Sequence, residues 1–73
     1  MECPICGAVA QDISRTGFDG ESVRCPRHND YDIAGGYRDK LEALDPSDRE
    51  LVFQKALRFA LPGTHPCISG SCF

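Results

Sequence analysis

Cys3-Pro4-Ile5-Cys6-Gly7 and Cys25-Pro26-Arg27-His28 decide how this chain is read. Taken as ligands they spell C-x2-C-x18-C-x2-H, two paired-ligand turns with room between them for a β-hairpin. Thiolate sulfur and imidazole nitrogen bind zinc tetrahedrally, and two such pairs close a structural site. The two-residue gap lets the chain double back so that both side chains of a pair point at one ion, with backbone N–H groups facing the thiolates. Pro4 and Pro26 favour that turn, and Gly7 supplies the positive φ needed as the chain leaves it. Cys3, Cys6, Cys25 and His28 are therefore the expected ligands of one Zn²⁺ per chain.

Size makes a metal necessary. The chain has 73 residues, one small domain, and below roughly 70–80 residues an apolar core seldom supplies more than about 3–5 kcal/mol. A structural zinc contributes on the order of 10–16 kcal/mol of coupled binding and folding. Five cysteines also fit a secreted disulfide scaffold, but the number is odd and three of them sit in ligand spacing with a histidine. Met1-Glu2-Cys3-Pro4 has neither the basic nor the apolar region of a signal peptide. No apolar stretch approaches the roughly 18–20 residues of a membrane span. The expectation is a soluble, cytoplasmic protein.

Eleven acidic and eight basic side chains give a formal charge of −3. Nonspecific nucleic-acid binding draws on clustered cations that displace counterions, and here they are scattered. A local patch of Arg15, Arg24 and Arg27 around the hairpin and second knuckle remains as an alternative.

Between the knuckles, residues 8–14 alternate loosely around Val9 and Ile13, residues 15–20 carry turn chemistry ending in Asp19-Gly20, and residues 21–24 lead into Cys25 as a second strand. Tyr31-Asp32-Ile33 suits a third strand with Tyr31 and Ile33 on one face. Tyr37, Leu41 and Leu44 share one helix face, predicting a short helix over residues 36–44. Asp45 as N-cap and Pro46 at the first helical position open a second helix that runs to about Leu61, before Pro62-Gly63. Its apolar residues, Val52, Phe53, Ala56, Leu57, Phe59, Ala60 and Leu61, span about 200° of the circumference, wider than the usual stripe of a surface helix. That arc is either sandwiched inside the protein or partly a partner or homodimer surface. Leu51 falls on the polar side with Lys55 and Arg58, the best single candidate for an exposed apolar contact. Residues 62–73 read as an irregular or extended tail.

Cys-Pro-Ile-Cys as a redox dithiol needs a preceding strand and a following helix, and neither has room. His65, Cys67 and Cys72 in the tail offer an incomplete second metal set, an oxidisable pair, or free and packing thiols, the last being favoured. Four protein ligands leave a zinc no open position for water, and no catalytic Ser-His-Asp set or glycine-rich phosphate loop is present, so the sequence predicts a non-enzyme.

Residues 1–35 resemble the zinc-ribbon superfamily, through Cys3-Pro4-x-Cys6-Gly7, the hairpin ending in Asp19-Gly20, Cys25-Pro26-x-His28 and the following Tyr-x-Ile strand. The resemblance implies a metal between two knuckles with three antiparallel strands beneath it. His28 stands where most ribbons carry a fourth cysteine, which favours zinc over iron. The fold expected is therefore α+β: a zinc-ribbon-like three-stranded antiparallel β-sheet over residues 1–35, two α-helices over 36–61 and an extended C-terminal tail. The function expected is a zinc-binding adaptor that presents its second helix or its tail to a protein partner.

Overall fold

A computed structural model describes residues 1–73 except Arg15 and Phe18. In chain order the elements are β1 (Gln11–Asp12), β2 (Gly20–Cys25), β3 (Asn29–Ala34), α1 (Arg38–Glu42), α2 (Pro46–Phe59), β4 (Cys67–Ile68) and a 3-10 turn (Gly70–Cys72). The strands form one sheet in the order β1-β2-β3-β4. The β2–β3 hairpin is the longest pairing, six residues in antiparallel register from Gly20↔Ala34 to Cys25↔Asn29. Asn29 turns the hairpin with φ 60, a left-handed conformation that asparagine tolerates better than most residues. The second knuckle is thus the hairpin turn itself, between Cys25 at the end of β2 and His28 just before β3.

Two expectations about the fold are corrected. The sheet is not three antiparallel strands, and residues 62–73 are not a tail beside it: β4 lies parallel to β3, pairing Asp32↔Cys67 and Ile33↔Ile68, so the sheet is four-stranded and mixed. Parallel pairing needs a long crossover, and the stretch from α1 through residue 66 provides it. The physical reason is the free edge of β3. Its unpaired backbone groups find partners when the chain returns, beginning with Asp32 N–H donating to Pro66 O at 2.9 Å. Ile68 becomes fully buried beside Ile33.

The second correction concerns the two helices, of which only α2 is substantial. α1 is a five-residue turn of helix, because the residue before a proline is held out of helical geometry and Asp45 is extended at ψ 154. The α2 N-terminus falls where Asp45-Pro46 places it, although the Asp45 side chain makes no cap bond. The helix ends at Phe59 rather than Leu61, with Ala60 already extended. Arg49 joins both helices to the first knuckle. Its guanidinium donates to the Glu42 and Leu44 carbonyls at 2.7 and 2.9 Å, and to Pro4 O at 3.5 Å. Those are C-terminal carbonyls of α1 that lack helical partners.

The first predicted strand shortens to Gln11–Asp12, preceded by an isolated bridge Glu2↔Val9. Asp12 explains the stop: its carboxylate accepts the Ser14 N–H at 2.9 Å, a local bond that competes with ladder pairing. Val9, expected as an anchor, is exposed. The core comprises Ile5, Val23, Tyr31, Ile33, Leu41, Val52, Phe53, Ala56, Ile68 and Cys72, continuous with Cys3 and Cys25. Of the wide apolar arc of α2, Val52, Phe53 and Ala56 are buried, while Leu57, Phe59 and Leu61 are exposed, as is Leu51. No helix among the described residues is long and apolar enough to cross a membrane.

Candidate metal centre

The first knuckle closes through Gly7 N–H to Cys3 O at 2.8 Å and Cys3 N–H to Ala8 O at 2.8 Å, with Gly7 at φ 75 as the spacing requires. The second closes around Cys25, whose sulfur accepts the Arg27 N–H at 3.4 Å. Together they bring Cys3, Cys6, Cys25 and His28 into one cluster whose ligand atoms all lie within 4.8 Å of one another. Cys6 Sγ is 3.6 Å from Cys25 Sγ, and His28 Nδ1 is 3.5 Å from Cys25 Sγ and 3.9 Å from Cys3 Sγ. Bonds of about 2.3 Å to sulfur and 2.0–2.1 Å to nitrogen around a tetrahedral ion put neighbouring donors roughly 3.5–3.8 Å apart. Three thiols and an imidazole at these separations can hold a metal ion. They are packed as closely as tetrahedral ligands and lack the bonded geometry of a disulfide, all five cysteines being free.

The electrostatics among the protein groups point the same way. Burial pushes the Cys6 thiol up to about 11, with the Cys25 and Cys3 thiols adding to the shift against the Ala8 backbone contact. Burial also opposes ionisation of Cys25, yet the His28 ring, the Arg27 and His28 backbone and the Cys6 thiol outweigh it and lower the thiol to about 6. One thiolate is thus favoured and its neighbour disfavoured, a conflict that a bound cation removes. Tyr31 is fully buried with its hydroxyl 3.0 Å from Cys3 Sγ. Burial and the adjacent sulfur raise its pKa, so it remains a phenol and donates to the sulfur.

Three supporting residues were not anticipated. Glu50 on α2 places both carboxylate oxygens 2.9 Å from His28 Nε2. Phe53, one turn further on, packs edge-on against the His28 ring at 4.8 Å and against Tyr31 at 5.5 Å. Phe53 was legible as an apolar helix residue and Tyr31 as a strand residue, but no local pattern ties either, or Glu50, to ligands more than twenty residues away. An open pocket of about 530 Å³ borders the cluster between Cys6 and Arg27 on one side and Ser47 and Glu50 on the other.

His65, Cys67 and Cys72 lie outside the cluster. His65 Nδ1 is 3.8 Å from Asp32 Oδ1, Cys67 is exposed on β4, and the buried Cys72 thiol faces Cys67 O at 3.7 Å. Burial raises the Cys67 thiol, and Asp32 and Cys72 add to the effect. Of the candidate nucleic-acid contacts, Arg15 lies outside the described residues. Arg24 is committed to a forked pair with Asp30 at 2.8 and 3.1 Å, and Arg27 is exposed. No family model, curated protein or solved structure matches the chain. The cluster is compatible with a zinc-binding module; it does not by itself make the chain a zinc ribbon, and the mixed four-stranded sheet departs from that pattern.

Proposed function

We propose that this protein is a non-catalytic module built around one structural Zn²⁺, held by Cys3, Cys6, Cys25 and His28, and that it serves as an adaptor through the outer face of α2. The observation that carries the metal reading is the set of donor separations at tetrahedral spacing in a buried cluster of three thiols and one imidazole. A set filled by four protein ligands leaves no position for a reacting water, which supports a structural role over a hydrolytic one. The paired-ligand turns remain similar to those of zinc ribbons even though the sheet beneath them differs.

Native mass spectrometry of the full chain tests the metal reading. One zinc per chain is expected, lost on Cys25→Ser. A chain that carries no metal after exposure to Zn²⁺ under reducing conditions would refute it.

The adaptor role draws on Leu51, Phe59 and Leu61, which are 60%, 65% and 72% exposed on or just beyond α2. Isolated surface leucines are ordinary; a run of large apolar side chains along one element of a 73-residue chain is less so. A photo-crosslinking residue at position 51, compared with one at the exposed Gln11, tests this part. The adaptor role predicts a discrete adduct from position 51 alone that disappears on chelation. Equal or no capture from the two positions counts against it.

A further inference from the structure

Glu50 has no counterpart in the four-ligand set, yet both its oxygens meet the ring nitrogen of His28 that faces away from the thiols, at 2.9 Å each. An ionised carboxylate can only accept hydrogen bonds, so Nε2 carries the ring proton and donates it. A neutral ring with its proton on Nε2 leaves Nδ1 bare, and Nδ1 is the nitrogen that faces Cys25 Sγ and Cys3 Sγ at 3.5 and 3.9 Å. We propose that Glu50 is the positioning residue of the metal centre, fixing the tautomer and aim of His28 so that Nδ1 is the ligating atom.

The inference rests on the metal reading above and extends it: the centre is completed by α2, not by the knuckles alone. The plain alternative is an acid at a helix start, favoured by the macrodipole. Glu50 is the fifth residue of α2, beyond the first turn where that preference acts, and Asp48 already fills the role. The geometry also separates aim from packing. Phe53 covers the ring edge-on at 4.8 Å with an interplanar angle of 79°, so His28 stays buried when Glu50 is shortened, but nothing then holds Nε2 in direction. A carboxylate behind a ligating histidine raises its basicity and fixes the ring, and loss of such a partner typically weakens metal affinity about 10–100-fold.

The test compares full-length wild type, Glu50→Ala and Glu50→Gln, using Zn²⁺ in competition with a chromogenic chelator and ¹⁵N–¹H spectra of the His28 ring in the Zn²⁺-loaded state. Co²⁺ absorption reports whether coordination stays tetrahedral with thiolate ligands. The expected result is a loss of affinity of about 10–100-fold for Glu50→Ala, with much of it restored in Glu50→Gln, whose amide oxygen accepts the same bond. Wild type should show a metal-bound Nδ1 and a slowly exchanging Nε2–H, and Glu50→Ala the same ligand with a fast-exchanging proton. Affinity for Glu50→Ala within twofold of wild type overturns the proposal, as does equal weakening in both variants or a metal bound through Nε2. Failure of wild type itself to bind Zn²⁺ overturns the metal reading and this proposal together, and is seen before any variant is made.

Discussion

Tyr31 carries two jobs on one ring. Its apolar face fills the core against Phe53, and its hydroxyl lies 3.0 Å from Cys3 Sγ. A thiolate taken out of water needs donors, and this cluster has few: the Arg27 N–H reaches Cys25, and the tyrosine reaches Cys3. Tyr31→Phe keeps the packing and removes only the donor. A hydrogen bond of this kind is worth about 1–1.5 kcal/mol net, which corresponds to about a fivefold to tenfold weaker Zn²⁺ affinity, since 1.4 kcal/mol is roughly a factor of ten. Chelator competition measures it. An unchanged affinity would mean that the Cys3 thiolate is stabilised by other groups and that the 3.0 Å contact is incidental.

Among the elements, β4 shows where reading a sequence stops. The ligand pairs, the β2–β3 hairpin and the start of α2 were legible because each is encoded within a few neighbouring residues: ligand spacing, Tyr31-x-Ile33 alternation, Asp45-Pro46. A two-residue strand has no period to detect, and Cys67-Ile68 gains its partners only from an edge of β3 more than thirty residues upstream. Glu50 escaped for the same reason, since its meaning depends on a histidine 22 residues away. The length of α1 was overestimated because apolar spacing marks a face but does not reveal where Asp45-Pro46 ends the preceding turn. The strand and the α2 face can be separated by stability. Ile68 is fully buried, so Ile68→Ala in the metal-loaded chain is expected to cost about 2–5 kcal/mol. Leu51→Ala, at a 60% exposed position, should stay within about 0.5 kcal/mol. Urea unfolding at fixed Zn²⁺ gives both values. An Ile68→Ala effect as small as that of Leu51→Ala would place the C-terminal segment off the sheet.

At the scale of the whole molecule, the metal cluster ties together elements that are otherwise weakly bound. Cys3 and Cys6 precede the sheet, Cys25 ends β2, His28 opens β3, and Glu50 and Phe53 bring α2 onto the histidine. Acid should therefore act through the cluster before it acts anywhere else. Metal-bound thiolates and Nδ1 carry no protons, whereas the metal-free unfolded chain takes them up, so stability falls as pH falls. The carboxylates follow the same sign but a lower window. Asp12, bonded to Ser14, and Asp30, paired with Arg24, are held below their ordinary 3.8, so the stability they contribute is present above that value and lost only beneath it. An unfolding midpoint between about pH 4 and 6 must then come from the metal ligands, and excess Zn²⁺ should move it lower by mass action. Circular dichroism against pH at two Zn²⁺ concentrations measures this, and chelation at neutral pH should remove the α2 helix signal in the same cooperative step. A midpoint that ignores Zn²⁺, or a helix signal that survives chelation, would show that the sheet and α2 hold together without the ion.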